Sequence, residues 1–210
     1  YVYLPSMKTS WIVRAWVWLR RIGYCRGFGI QSPWAYSLVR YVINEHFPYY
    51  AYAGLYARFP EADIVRRKLG QFYLRLANYV QPAMVMSLYF TDYESEHSKA
   101  YFQAGCATLR FVGVQPSEGV EEVSKSLRKK DRRNIIVHVN SLNVDVGQIK
   151  ELVGCLHDGD FMVLDNMNAA RHLWDETATS LENIVTFDMY YCGLIYIDSK
   201  RYKQNYIINF

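Results

Sequence analysis

The chain has 210 residues, enough to bury a sizeable core, and we predict one α/β domain with an appended helical arm. Its formal charge of +4, with 21% charged residues, is too mild to indicate nucleic-acid binding without a clustered basic face. Aromatic residues make up 16% of the sequence and include 19 tyrosines, a composition that excludes a disordered tail and favours thick cores and contact surfaces.

The cysteines and the N-terminus indicate a cytoplasmic protein. The four cysteines include no Cys-x-x-Cys pair, so the spacing predicts neither a zinc site nor a disulfide scaffold, and we expect a reducing compartment and no metal. Tyr1 to Ser6 lack the pattern of an export signal, and Met7 is a candidate natural start. The apolar run from Trp11 to Leu19 is too short to span a bilayer and contains Arg14, so no membrane span is predicted.

The first predicted element is a helix from Trp11 to Arg21 whose indoles face more than one side. It is followed by the breaker Gly23, and the basic residues Arg20, Arg21 and Arg26 lie at and after its end. A helix lying on a membrane surface uses aromatics and arginines in this way. A basic amphipathic helix can equally pack on the body of the protein, or on a second subunit, with its arginines in water. We favour the packed helix.

Two more helices are predicted in the arm and at its end. One runs from Pro33 to Ile43, because Ser32 is a natural N-cap and Pro33 a natural first helical residue, and Pro48 ends it. Residues 49–52 are interpreted as a packed corner rather than a lid. The next helix runs from Glu61 to Tyr79. Its basic residues are predicted to lie largely outside: Arg66, Arg67, Lys68 and Arg75.

From Ala83 onward, continuous apolar runs alternate with helical segments, which is typical of a parallel sheet covered on both faces. Strands are predicted at 83–89, 109–114, 134–139 and 160–165, and helices at 95–103, 117–130 and 146–153. Ser117 is predicted to cap the second of these helices. The end of that helix is basic and is interpreted as a solvated turn: Arg128, Lys129, Lys130, Arg132 and Arg133. Three last strands, 184–190, 193–197 and 205–210, are predicted to pair antiparallel at one edge.

In this order the chain resembles a class I S-adenosylmethionine-dependent methyltransferase, and more narrowly a group of small bacterial O-methyltransferase-like proteins with a helical arm. That group has a Gly-x-Gly-x-His-Ser-Pro-Phe segment, to which Gly27 to Trp34 is similar. Residues 69–82 resemble the group's helix before the first strand. Residues 161–166 resemble its late strand, which ends in two acidic residues, and residues 187–197 resemble its C-terminal hairpin. The resemblance implies a Rossmann-like sheet with an antiparallel C-terminal hairpin. It divides the chain into an arm, 1–60, and a methyltransferase-like α/β domain, 61–210.

The departures from the family pattern concern its cofactor site. The family has Gly-x-Gly-x-Gly after the first strand, where glycines let the backbone approach the cofactor, but this chain has no glycine between Pro82 and Gly105. Gln115 stands where an acidic residue holds the ribose, and Asn166 replaces the second late acid. The segment from Val114 to Asp160 is one strand-helix unit short, so the strand at 134–139 matches either the third or the fourth family strand. In the second case the family's metal or catalytic acid is replaced near Asn140.

Position in the family pattern nominates the site residues. The candidates for catalysis are Asp165 and Asn166, and those for cofactor binding are Ser87, Tyr89, Thr91, Gln115 and Asn140. Asp165 could bind a cation or act as a base, and we favour the alternative that it caps the following turn. His138, inside an apolar strand, is interpreted as a satisfied core histidine. No Ser-His-Asp arrangement can be argued from spacing alone.

Two functions follow from these residues. The first is a degenerate methyltransferase-like protein, a pseudoenzyme that serves as a binding or assembly module, with a second copy or another protein bound through the arm. The alternative is an active but divergent S-adenosylmethionine-dependent O-methyltransferase acting on an unknown small molecule. The missing glycines and bulky Tyr89, Phe90 and Tyr93 favour the first, because these side chains should fill the place of the nucleoside. Whether the chain is an enzyme stays open, and S-adenosylmethionine is the cofactor if it is active.

Overall fold

The computed structural model describes residues 10–115, 120–128 and 134–210. Within residues 10–60, the arm contains three α-helices, a 3-10 helix and a π-helical turn. They are α1 (Trp11–Arg20), a 3-10 helix (Ile22–Gly27), α2 (Pro33–Leu38), a π-helical turn (Val39–Ile43) and α3 (Ala51–Arg58). No helix in the described part of the chain is both long enough and apolar enough to cross a membrane.

The body alternates strands with helices as far as β5. Its helices are α4 (Ile64–Val80), α5 (Asp92–Gly105), α6 (Val120–Leu127), α7 (Val146–Val153) and α8 (Arg171–Ser180). Its strands are β1 (Met84–Leu88), β2 (Arg110–Val114), β3 (Ile135–Asn140), β4 (Phe161–Asp165), β5 (Ile184–Asp188), β6 (Cys192–Ile197) and β7 (Gln204–Ile207). The structure does not describe the side chain of Arg26. The predicted cap at Ser117 and the predicted solvated turn at 129–133 lie outside the described residues.

The seven strands form one sheet in the order β2-β1-β3-β4-β6-β5-β7. The first four pair parallel, and β6 is antiparallel to both β4 and β5, so the predicted Rossmann-like sheet with an antiparallel hairpin is confirmed. The strand β3 lies beside β1 on the side opposite β2. That is the place of the fourth strand in the doubly wound order, so the missing unit is the one that carries the third strand.

The predicted pairing of the last strand is wrong. The strand β7 runs parallel to β5, with Val185 opposite Gln204, instead of antiparallel. The cause is the position of β6, which lies between β4 and β5. Because Ile197 at the end of β6 pairs with Ile184 at the start of β5, the chain leaves β6 beside the beginning of β5 and then follows its free edge in the same direction.

Three further differences concern helices. Residues 49–52, predicted as a corner, lead into α3, and α8 was not predicted. Arg75 was expected on the solvent-exposed side of α4, but it is buried, with 4% of its surface exposed. Its guanidinium donates to the carbonyls of Val42 and Ile43 at 2.6 and 3.0 Å, which satisfies the free carbonyls at the end of the π-helical turn. The predicted caps Ser32 and Pro33 are confirmed at the start of α2.

The sheet is covered on both faces. The helices α2 to α5 share one buried cluster with the sheet, and α6 to α8 share the other. The arm and the body therefore share core residues, and the boundary expected at residue 60 stays a prediction. On the first face, α4 and α5 carry Tyr73 and Phe102 to a position above β3, where their rings lie 4.9 and 5.5 Å from that of His138.

One buried ion pair holds the C-terminal end of α1 on the sheet. The guanidinium of Arg21 donates to both the carboxylate and the carbonyl of Asp188 at 2.9 Å, and Arg171 at the start of α8 binds the same carboxylate at 2.7 Å. Burial alone would raise the pKa of Asp188, but the hydrogen bonds from Arg171 and Arg21 hold that pKa below its usual value. The carboxylate thus joins α1, α8 and the last strands.

Gly105 sets the closeness of α4 and α5. A Cβ atom at Gly105 would lie 2.0 Å from the carbonyl oxygen of Leu74, so an added methyl group forces the two helices apart. We expect Gly105→Ala to lower the free energy of unfolding by about 3 kcal/mol in urea denaturation. The matched control is Gly54→Ala in α3, where nothing lies within 4 Å, and we expect that change to add about 0.5–1 kcal/mol. Equal effects of the two substitutions would contradict this packing.

Candidate functional site

The carboxyl ends of β1 and β3 lie at the switch point of the sheet, where the chain turns to opposite faces and where open α/β sheets bind ligands. Two aromatic residues follow β1 there. Tyr89 packs into the cluster on the α6 to α8 face, and Phe90 stacks on the ring of His138 with centroids 4.2 Å apart. Both are buried, with 5% and 7% of their surface exposed, so the two side chains occupy both sides of the end of the strand.

Hydrogen bonds also close the switch point. The carbonyl of Tyr89 accepts from the side-chain amides of Asn140 at 3.4 Å and Asn143 at 2.9 Å, which joins the end of β1 to the end of β3. Asn166, after β4, donates to the side-chain oxygen of Asn140 at 2.9 Å. Asn166 has φ +60°, a conformation in which asparagine is enriched, and an aspartate in its place could not donate. The amide side chains thus form a chain of bonds across three strands.

Below this edge lies a buried polar network centred on Asp165. Its carboxylate accepts from the hydroxyl of Tyr73 and from Nε2 of His138, the latter at 3.1 Å. The other ring nitrogen of His138 is 3.3 Å from the hydroxyl of Ser87, its direct neighbour on β1. With Asp165 ionised, His138 carries its proton on Nε2 and accepts from Ser87. Asp165 therefore does not cap the following turn as expected, and His138 is the satisfied core histidine that was predicted.

Burial dominates the electrostatics of the network. It raises the pKa of Tyr73 well above its usual value, and the charge of Asp165 adds to the increase. Burial likewise raises the pKa of the thiol of Cys192. Cys192 lies opposite Asp165 in the antiparallel pairing of β4 and β6. Both groups therefore stay protonated at neutral pH. The second carboxylate oxygen of Asp165 is buried and makes no hydrogen bond among the described residues.

A second aromatic group covers the start of α5. The ring of His97 lies among Phe59, Tyr93 and Tyr101, with centroids 4.7 to 6.5 Å away. Burial, with the nearby charge of Arg66, lowers the pKa of His97 to about 3, so this imidazole is neutral. Tyr93 was expected to help fill the nucleoside position, but 43% of its surface is exposed. The filling of the switch point therefore rests on Tyr89 and Phe90.

The other nominated residues have separate positions. Thr91 caps α5, because its hydroxyl accepts from the backbone N–H of Glu94 at 3.3 Å. The Glu94 carboxylate in turn accepts from the Thr91 hydroxyl at 3.0 Å and from the Thr91 backbone N–H at 3.2 Å. Gln115 follows β2 and is exposed, next to Tyr89, whose N–H donates to Val114. Ser87, Asn140, Asp165 and Asn166 do come together. In the described residues, no three Asp, Glu, His or Cys side chains converge as metal ligands.

The residues at the end of β1 do not fit S-adenosylmethionine. A cofactor that approaches the backbone at this turn needs space where a side chain would stand, and Tyr89 and Phe90 fill that space with buried rings. Tyr89 has φ +67°, a conformation natural to glycine and costly for a bulky residue. The turn therefore keeps a backbone suited to glycine while its side chain closes the approach.

No protein-family model and no curated protein sequence matches the chain. Solved structures resemble it in fold. The methyltransferase PaMTH1 of Podospora anserina, bound to S-adenosylhomocysteine, is 11% identical, with a TM-score of 0.46 over 81% of this chain and 98% of that one. The O-methyltransferase TomG of Streptomyces achromogenes, which takes part in tomaymycin synthesis and was solved with S-adenosylmethionine, is 13% identical, with a TM-score of 0.41 over 72% and 91%. With identities under 25% and TM-scores under 0.5, neither likeness supports an activity or a residue's role for this chain.

Spacing could not identify the network of Ser87, His138 and Asp165, since the three residues lie on three strands. The available signal was a serine and a histidine inside otherwise apolar strands, because buried polar side chains need partners. Tyr73 gave no such signal, as a tyrosine on the apolar face of a helix is ordinary.

Tyr73→Phe tests the network. The substitution removes one of the donors to the buried carboxylate of Asp165, and we expect it to lower the free energy of unfolding by about 1–3 kcal/mol in urea. Tyr79→Phe on the same helix is the control, because that side chain is 45% exposed, and we expect a change within about 0.5 kcal/mol. Wild-type stability of the Tyr73 variant would show that the bond is not formed in solution.

Proposed function

We propose that the chain is a degenerate methyltransferase-like protein that acts without catalysis as a binding or assembly module. The observation that carries the proposal is the occupation of the switch point by Tyr89 and Phe90. A crevice filled by two buried rings and bridged by Asn140 and Asn143 offers no approach to a nucleoside. The network below it is satisfied internally at His138, with Phe90 stacked over the ring.

An active O-methyltransferase is the alternative, and one observation favours it. The second carboxylate oxygen of Asp165 is buried and makes no hydrogen bond among the described residues. A buried acceptor without a donor costs free energy. A ligand that donates to this oxygen would satisfy it. Asp165 would then be the base or cation ligand, with Asn166 beside it and Gln115 at the end of β2, on a substrate whose class the residues do not define.

Cofactor binding separates the two functions. We expect that neither S-adenosylmethionine nor S-adenosylhomocysteine at millimolar concentration raises the melting temperature. A ligand that binds would raise it, because at 100 times its dissociation constant it adds about 2.7 kcal/mol to the free energy of unfolding. Calorimetric titration is the second measurement, and a known methyltransferase is the positive control. Saturable binding to the wild-type chain would overturn the non-catalytic proposal. The variant Tyr89→Gly combined with Phe90→Ala shows whether these rings alone block the crevice, since binding gained by that variant assigns the block to them.

The assembly role is proposed for the outward face of α1. Among its residues from Trp11 to Arg20 only Val17 is buried, and Ile12, Trp16 and Leu19 lie on one face with 54 to 60% of their surface exposed. Aromatic side chains of this kind are enriched at the centres of protein interfaces. Residues 1–44 contain six basic and no acidic residues, whereas residues 45–210 contain 20 acidic and 18 basic ones. A second copy, offering its more acidic body to this face, is the partner that we propose.

Sedimentation of the full chain tests this contact. We expect a concentration-dependent dimer, and we expect Trp16→Ser with Leu19→Ser to weaken it at least about tenfold because both apolar anchors are removed. The matched control is Tyr50→Ser, at a side chain that is 95% exposed outside this face. A wild-type monomer at all concentrations, or a dimer unaffected by the double substitution, would exclude the second copy as partner.

A further inference from the structure

The opposite face of α1 borders a groove whose chemistry differs from that of the switch point and of the outward face. This arm groove has a volume of about 430 Å³, within the range of small-molecule sites, and lies between α1, α4 and the turn before β6. Its walls are apolar and include Trp11, Trp18, Ile64 and Phe210. Trp11 and Trp18 are seven residues apart, two helical turns, and so stand on one side of the helix, away from Ile12, Trp16 and Leu19.

Three polar side chains line the same groove. Arg14 projects from α1 and Lys68 from α4, and neither has an anionic partner among residues 10–115, 120–128 and 134–210. The ammonium of Lys68 lies 4.6 Å from the centre of the Phe210 ring. Two cations on an apolar concave surface attract an anion. Burial lowers the pKa of Lys68, and the charge of Arg75 lowers it further. An anion bound in the groove would favour the charged form of Lys68.

Tyr191 is the second, independent indication of a ligand. Its side chain lines the groove with only 8% of its surface exposed, and its hydroxyl is buried without a hydrogen-bond partner among the described residues. Such a hydroxyl costs free energy unless a bound group accepts its proton. Burial raises the pKa of Tyr191, so the group is a donor at neutral pH.

We propose that the arm groove binds a small amphipathic carboxylate, a single acyl chain with one anionic head. The chain would lie between the indoles of Trp11 and Trp18 and the ring of Phe210. The carboxylate would accept from the guanidinium of Arg14, whose fork matches its two oxygens, and from the hydroxyl of Tyr191, with Lys68 as the second positive charge. This proposal is independent of the cofactor question, because none of these residues belongs to the switch point.

Calorimetric titration of the full chain with decanoate, below the concentration at which it forms micelles, tests the site. We expect one decanoate per chain, and binding of decanol, the neutral analogue, at least about tenfold weaker because the charge-assisted bonds are lost. Arg14→Gln should weaken decanoate at least about tenfold, and Tyr191→Phe should weaken it several-fold. The controls are Arg40→Gln, outside the groove, and Tyr202→Phe, at a side chain 91% exposed, and both should bind as the wild type does.

The possible results are distinct. Equal affinity for decanoate and decanol, or binding unaffected by Arg14→Gln in a variant with wild-type thermal stability, would overturn the carboxylate site. Binding of many molecules per chain would identify a detergent-like effect and would also overturn it. Failure to bind monomeric decanoate, together with sedimentation on vesicles of phosphatidylglycerol, would assign this side of α1 to a membrane surface instead.

Discussion

A carboxylate buried inside a sheet needs hydrogen-bond donors, and the donors to Asp165 fix the packing of α4 against the sheet on the face covered by α2 to α5. Its hydrogen-bond partners come from separate elements: Tyr73 from α4 and His138 from β3. Because an unpaired buried charge is far more costly than a paired one, these elements cannot shift independently. Ser87 completes the set through the second nitrogen of His138. The arrangement has the residue types of a hydrolytic triad, and the ring of Phe90 stacks on its histidine.

The same constraint explains why the end of β1 is closed. Phe90 packs on the imidazole that Asp165 orients, and Tyr89 turns to the opposite face through a left-handed backbone that costs about 1–2 kcal/mol for a residue with a side chain. That cost is offset by burial of the tyrosine ring, which contributes more than the strain removes. Asn140 and Asn143 then bond to the carbonyl of Tyr89, so the turn is stabilised by contacts that a ligand-binding loop would have to break.

The arm presents the reverse situation. The C-terminal end of α1 is fixed to the sheet by the bond between Arg21 and Asp188. Most of α1 stays exposed, and it carries three tryptophans. Of the two alternatives weighed from the sequence, the packed helix agrees with the contact of α1 with the body through Val17, and the membrane-surface helix stays a prediction. The rest of α1 offers two apolar faces. The first face is exposed to solvent and includes Trp16, whose ring centre lies 4.6 Å from the guanidinium of Arg20. The second face lines the arm groove. The exposed apolar side chains of α1 are the observation on which the proposed contact with a second copy rests.

The sequence by itself determined the elements whose signals are local. Ser32 with Pro33, the β1 to β4 apolar runs and the α7 helix were predicted because capping residues and buried strands leave a pattern within a few positions. It also identified the polar residues at the strand ends, since they follow the apolar runs. Only the tertiary structure decided that Arg75 is buried against the π-helical turn after α2, that β7 runs parallel to β5, and that β3 takes the fourth strand's place. Each of these depends on which distant element lies alongside, and sequence spacing does not encode that neighbour. The closure of the switch point was expected from side-chain size, whereas its chemistry, with His138 and Asp165 beneath Phe90, required the register of three strands.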